Sequence, residues 1–432
     1  MPIMSESTTT ATTANPGQLR VAIIGAGIAG LGAAVFLRRH PQYSVTVYER
    51  RGIDFRETSA AFGMRTNGIT IANRLGITSN EIQAVVGAGY RTYNTREELM
   101  SKARLDELGL GDLRFQFRQD FKDALFSRVT GKEGVGEPIK VLYGSHVVSV
   151  DVDAGTVVFA DGRSIEADLI IGADGIRSKV RAAVMPPSHP EPAPCGLSLF
   201  RFLIPMDVVK DAIGQDEPWP PMYNYDDGMY VAIIAAGDEG NRNVVMYPCR
   251  NFELMNFAVA IPDSSLPESV GLEYSWNAKG SRDELLKQMT EFPAWLQRVF
   301  SRVPPQVELF QVRDQDPLPT YVKGKAVLIG DAAHPVVPYQ GQGANQALED
   351  VDGLDVILGD VFDRDDMYRR LQVWDSIRRP RASEIQLGSR VSQSKISTKE
   401  ASLAILAVKP YESMKDVLAR LQSQQGSQIA AA

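Results

Sequence analysis

Arg20-Val21-Ala22-Ile23-Ile24-Gly25-Ala26-Gly27-Ile28-Ala29-Gly30 is the stretch on which the fold turns. Residues 20–24 are a short apolar run with β-branched side chains, as in a buried strand. Gly25, Gly27 and Gly30 follow in a G-x-G-x-x-G pattern. Ala29 to Arg39 then has the composition of a helix, stopped near Pro41, and Ser44 to Tyr48 reads as a second strand. Strand, helix and strand make a βαβ unit. Each glycine has a physical task there. Gly25 permits the tight turn, Gly27 lets backbone approach a pyrophosphate, and Gly30 lets helix and strand pack closely. The helix N-terminus offers free N–H groups to phosphate. Glu49 ends the second strand, nineteen residues beyond Gly30, and can accept both hydroxyls of an adenosine ribose. An acid there disfavours the 2′-phosphate of NADP at this site. The motif leaves FAD and NAD open, and a tight turn without ligand is the bland alternative.

The 432 residues are too many for one ordinary core and suit two lobes. Hydrophobic residues make up 44% and charged residues 23%, as in a soluble globular protein. A net charge of −7 argues against nucleic-acid or anionic-membrane partners. The run Arg378-Arg379-Pro380-Arg381 reads as solvated surface. Two cysteines, Cys195 and Cys249, do not make a disulfide framework, and they fit a reducing, cytoplasmic compartment. The four histidines have no metal-ligand spacing, so no metal site is expected. Residues 1–18 read as a disordered leader, and no run is apolar enough to span a membrane.

Further along, Val141 to Ala173 alternates in polarity around two turn signals, as in a meander rejoining the first sheet. Five prolines between Pro186 and Pro194 mark a crossing linker. Strand-like runs follow at 197–204, 229–235, 243–247 and 256–261, with helical stretches at 282–288 and 293–300. Lys325 to Ile329 reads as a buried strand, and from Glu349 the pattern is helical to near Leu421. Proline and tyrosine between Asp216 and Asp227 suggest a loop over a pocket.

Two more motifs carry chemistry. Asp168-Leu-Ile-Ile-Gly172-Ala-Asp174-Gly175 and Ala326-Val-Leu-Ile-Gly330-Asp331-Ala-Ala-His334-Pro335 each run an apolar strand into an acid at its C-terminal end. Ligands of open α/β sheets bind at that end. Singly, Asp174 and Asp331 could equally be helix N-caps. Together with the first motif, in this order, they resemble the flavoprotein hydroxylases of the para-hydroxybenzoate hydroxylase fold. The closer resemblance is to the salicylate hydroxylase-like branch. It rests on Gly330 to Asp350, on Tyr247-Pro248 followed by Asn256, on Ser275-Trp276 with Gly280, and on Arg118-Gln119-Asp120. One departure is that Arg65-Thr66-Asn67-Gly68 stands where members often have Pro-Asn, in the loop that faces the substrate.

The resemblance implies an α/β fold. It would join a Rossmann-like FAD-binding domain to an interleaved, mostly antiparallel-sheet substrate domain, with C-terminal helices. The expected bounds are 19–75, 109–185 and 315–385 for the first, 76–108 and 186–314 for the second, and 386–432 for a helical segment and tail. It implies tightly but non-covalently bound FAD, with NADH or NADPH as transient co-substrate, O₂, and a small aromatic substrate. The state would be a monomer or homodimer. The cofactor residues would be Gly25, Gly27, Gly30, Glu49, Gly63, Arg118, Asp174, Asp331, Gly343 and Ala344. Gly343 and Ala344 would offer N–H groups to the pyrimidine side of the flavin, at the end of a helix that favours negative charge. The implied reaction is hydroxylation of a phenol through a hydroperoxyflavin.

Arg201, inside an apolar strand, is the candidate for a phenolate or carboxylate, against an inter-lobe ion pair. Tyr230 is a candidate donor to the same oxygen, against simple packing. Pro335 and Pro338 would shape the wall, Gln340 and Gln342 would be secondary contacts, and His334 is read as packing rather than as a base. An FAD oxidoreductase that inserts no oxygen, an epoxidase and a non-enzymatic FAD-fold carrier are the rival readings.

Overall fold

The computed structural model describes residues 17–57, 60–214, 217–267, 277–361, 363–394 and 408–430. The leader read at residues 1–18 therefore falls almost wholly outside the described residues.

The first apolar run forms the strand Leu19–Ile24, paired in parallel with Tyr43–Tyr48 on one side and Leu169–Gly172 on the other. Ala326–Leu328 and Lys140–Leu142 extend this sheet, and Val322–Lys323 closes one edge antiparallel. Residues 169–172 and 326–328 are wholly buried, because helices and the meander cover both faces. The meander is three short antiparallel strands, Val147–Asp151, Thr156–Phe159 and Ser164–Glu166.

The second sheet has eight strands: Asn277–Ser281, Gln306–Asp314, Ala193–Pro205, Leu254–Pro262, Asn243–Cys249, Tyr230–Ala235, Gly89–Asn94 and Leu99–Arg104 in spatial order. It is antiparallel except where Tyr230–Ala235 lies parallel to Gly89–Asn94. The helices Met206–Ile213 and Ala294–Phe300 cover one face, against Phe200, Phe202 and Phe257. The other face turns toward the first lobe. A small third sheet, Ala61–Arg65, Leu113–Phe117 and Val85–Val86, lies between them.

Several expectations change. The segment 217–227 does not roof the cavity: Met222 and Tyr223 are buried on the helix-covered face, and Tyr223 packs edge-on against Trp295 at 5.6 Å. The helix expected to begin at Gly343 and Ala344 runs Gly343–Leu358, and the helical pattern read from Glu349 onward breaks there before a second helix, Arg364–Ser394. Arg378 is not surface. It is 3% exposed, because Glu349 and Asp350, both fully buried, need a counter-charge. Among the described residues no helix is long and apolar enough to cross a membrane.

Candidate active site

A cavity of about 1010 Å³ runs between the lobes, from the glycine turn to the inner face of the eight-stranded sheet. That is at the upper end of the range for small-molecule sites.

Its first end is built on the strand–turn–helix unit. Gly25 has φ +107°, and a Cβ there would lie 2.4 Å from the Ala173 carbonyl. Gly27 is open: nothing lies within 4 Å of where its Cβ would stand. Gly30 sits behind the turn, not in the wall, with the Gly25 carbonyl 1.9 Å from its would-be Cβ. Its task is the close packing of helix against turn, which the spacing of the motif implies. Glu49 crosses the mouth of the turn. Its Oε2 accepts from the Ala26 N–H at 2.8 Å and its Oε1 from the Arg51 N–H at 2.9 Å.

Arg118 opens the helix Arg118–Thr130 and reaches the wall, where its Nε meets Glu57 Oε2 at 2.5 Å. Burial pushes Glu57 up, but Arg118, Lys122 and Arg51 outweigh it and hold the carboxyl below its usual range. Asp174 borders the cavity, yet its carboxylate caps a helix. It accepts from Ser178 Oγ at 2.5 Å and from the Lys179 N–H at 2.7 Å. Its side chain thus serves the helix N-terminus, as the capping alternative held, although the N-cap position itself is Ser178. Burial, partly offset by those donors, raises its pKa.

Asp331 stands at the opposite lip, exposed, at the start of the turn Gly330–Ala332. Gly343 and Ala344 begin a sixteen-residue helix aimed at the cavity, and its first N–H groups lack intrahelical partners. Behind the motif His334 is 1% exposed and bonds Asp350 Oδ2 at 2.7 Å, in a structural role as expected. Asp350 also accepts from the Gly330 N–H at 2.7 Å, which fixes the turn that presents Asp331.

The second end is the sheet. Registers place Arg201, Ala258, Val245 and Ile233 in one row across four strands, all facing the cavity. Arg201 lies opposite Glu308 and over the Phe310 ring at 5.2 Å. Burial lowers its pKa, and Tyr247, Asp331 and Glu308 oppose that. Tyr247 and Asn256, a register pair, clamp the third sheet: the tyrosine hydroxyl donates to the Ala61 carbonyl at 3.0 Å, and Asn256 Oδ1 accepts from the Ala61 N–H at 3.2 Å. This holds Gly63 at the wall, with Phe115 3.0 Å from its would-be Cβ.

Tyr230 is misplaced in the sequence reading. Its neighbour Val231 faces the cavity, so alternation turns Tyr230 to the other side. There its ring lies 4.0 Å beneath the Arg91 guanidinium, and its hydroxyl accepts from Arg104 at 3.2 Å. Tyr90, the register partner of Val231, stands in the wall instead, and the sequence reading missed it. Pro338, Gln340 and Gln342 line the cavity, but Pro335 does not: its carbonyl accepts from Gln386 at 3.0 Å.

The chain aligns with an FAD-dependent monooxygenase, cfoG, of Aspergillus candidus at 30% identity over 386 residues, which is 87% of this chain and 86% of that protein. It is also 30% identical to a salicylate hydroxylase of Pseudomonas putida over 398 residues, 85% of this chain and 83% of that one. The chain belongs to the salicylate hydroxylase-like branch of the FAD-dependent monooxygenases. Residues 20–123 of this monooxygenase match the FAD dependent oxidoreductase family, and residues 270–387 match the FAD binding domain family. A salicylate hydroxylase in complex with its substrate superposes with a TM-score of 0.68 at 26% identity, covering 96% of this chain and 95% of that one.

The monooxygenase's residues fit FAD. Gly27 leaves open room at a helix N-terminus, where a pyrophosphate needs close backbone. The buried Gln342 Oε1 and Tyr339 hydroxyl, both bordering the cavity, have no partner among the described residues, as expected of groups that meet a ligand. Gly27 and Glu49 would hold the adenosine half, Arg118 and Asp331 the middle, and Gly343 and Ala344 the ring end.

Proposed function

We propose that this monooxygenase hydroxylates the ring of a small phenol, with NADH or NADPH as a transient electron donor. The observation that carries the reading is Arg201, a guanidinium in the wall of Leu199, Val231, Ile233, Val245 and Phe310. A cation there favours the phenolate, which is the more electron-rich ring. Bound FAD would supply hydride acceptance and O₂ activation. The chain's own part is to orient and shield. Arg201 holds the phenolic oxygen, and the apolar row keeps water from the reacting centre. The positive end of the helix Gly343–Leu358 steadies negative charge at the ring end. Arg50, Arg177 and Arg313 gather at the cavity edge beside Asp174, where burial, then Arg313 and Arg50, push Arg177 down. That cationic edge supports docking of the NAD(P)H pyrophosphate. Both cysteines are free thiols, which supports a cytoplasmic enzyme.

The test is NAD(P)H oxidation with parallel O₂ uptake over a panel of phenols, under ¹⁸O₂. A stimulated rate with one labelled oxygen in the ring supports the reading. Stimulation with all oxygen recovered as peroxide favours an oxidoreductase that inserts none, and overturns it.

A further inference from the structure

Glu57 lies on the loop that follows the strand Tyr43–Tyr48 and borders the cavity together with three cations, Arg51, Arg118 and Lys122. Its side chain is 15% exposed and meets all three: Arg118 Nε at 2.5 Å, Lys122 Nζ at 3.7 Å and Arg51 Nη1 at 3.9 Å. The backbone of the same residue is fixed as well. Its N–H donates at 2.7 Å to Oε1 of the buried Gln119, whose Nε2 donates in turn to Asp123 at 2.8 Å. Loop and helix Arg118–Thr130 are thus joined twice, at adjacent residues of the helix's first turn. Arg51 is steadied by the Phe55 ring, 3.9 Å beneath its guanidinium.

The contact with Arg118 is made at Nε, the inner side of the guanidinium. A carboxylate there leaves the outer edge, with its two terminal nitrogens, to face an anion. Arg118 is 37% exposed, and Glu57 is its hydrogen-bond partner among the described residues. A long side chain on a cavity wall otherwise keeps much rotamer freedom, and fixing it before a ligand arrives removes that ordering cost from binding. A plain counter-charge would act in the opposite direction. Removing it would leave the three cations unopposed and tighten their hold on a phosphate.

We infer that Glu57 is a positioning residue for the cofactor: it grips Arg118 by its Nε so that the terminal nitrogens of the guanidinium are presented to the pyrophosphate–ribityl segment of FAD. The assignment depends on the cofactor of the family and not on which ring is hydroxylated.

The experiment titrates FAD into the deflavinated full-length chain and follows flavin fluorescence. Glu57→Asp keeps the charge but draws the carboxylate back by one methylene, and it should bind FAD about fivefold more weakly. Glu57→Gln loses the charge but keeps an oxygen that accepts from Nε, and it should stay within about twofold of wild type. In an Arg118→Ala background Glu57→Asp should weaken FAD no further, because its effect passes through Arg118. Both replacements are conservative, and melting of each apoprotein checks that it is folded. A glutamine variant weakened as much as the aspartate variant, or more, would make Glu57 a counter-charge and overturn the inference. So would an aspartate variant that binds as tightly as wild type, or one whose loss is undiminished when Arg118 is absent.

Discussion

Arg118 reaches the cofactor end of the cavity while its Nε is engaged by Glu57. Glu57 keeps Lys122 at 3.7 Å and Arg51 at 3.9 Å if Arg118 is removed. The fold should therefore tolerate Arg118→Ala, and the loss should fall on the cofactor. We expect FAD affinity to drop about tenfold, as for one charge-assisted contact, with melting of the apoprotein changed little. The flavin-to-protein ratio after gel filtration measures it, and a fully loaded variant would remove Arg118 from the cofactor site. Tyr230 gives the opposite expectation. Its hydroxyl serves Arg104 on the outer face, so Tyr230→Phe should leave turnover within about twofold and cost about 1 kcal/mol of stability or less. A tenfold fall in kcat would put Tyr230 back in the site. The sequence made Arg201 legible because an arginine amid Leu199, Phe200 and Phe202 is conspicuous. It could not separate Tyr230 from Tyr90. Strand facing has a period of two, and only the register against Gly89–Asn94 says which tyrosine turns inward.

Strands and turns were the most readable level, since each motif carries its own local physics. The glycine turn, the strand ends at Glu49 and Asp331, and the helix behind Gly343 all follow from short-range rules. What local rules miss is how elements are tied to each other. Asp168 shows this. It was read only as the first residue of an apolar strand, yet its carboxylate joins three elements. It accepts from the Arg20 N–H at 2.8 Å and the Arg20 side chain at 3.3 Å, and from Arg364, which opens the helix Arg364–Ser394, at 2.9 Å. Burial alone would raise this carboxyl, but Arg20 and Arg364 prevail and hold it at about 2. A depressed carboxyl adds stability above its unfolded pKa of about 4, lost as pH falls toward the folded value. Arg364 is 57% exposed, so screening reduces the gain to about 1–2 kcal/mol. Asp168→Asn should therefore melt lower than wild type at pH 7, with the gap closing between pH 4 and 2. A gap that stays constant through that interval would mean the ion pairs contribute nothing.

The whole molecule depends on a helix whose sequence pattern looked ordinary. Gly343–Leu358 sends its N-terminus to the cavity, sets Val351 3.4 Å from where a Cβ on Gly32 of the first helix would stand, and carries Glu349 and Asp350 into the interior. Two buried acids in one helix turn are unfavourable alone. The counter-charges come from the helix Arg364–Ser394. Arg378 Nε lies 2.8 Å from Asp350 Oδ1, off the hydrogen-bonding axis, and Arg381 grips Glu349 with two bonds of 2.8 Å. His334 and the Gly330 N–H complete Asp350, and Asn67 reaches Glu349 at 2.6 Å. The network thus connects the third motif with the helices Gly343–Leu358 and Arg364–Ser394. A reading by charge runs took Arg378 for surface because composition carries no information on partners thirty residues away. Removing Arg378 leaves Asp350 short of one counter-charge in a dry interior, a loss of about 3–5 kcal/mol. The strain would fall on the Gly330 turn and on Gly343, so Arg378→Met should lower both stability and FAD retention. Melting with and without added FAD separates the two. A destabilised variant that FAD rescues by several degrees supports a network that shapes the cofactor site. Loss of stability with unchanged FAD affinity would confine it to holding the helices together.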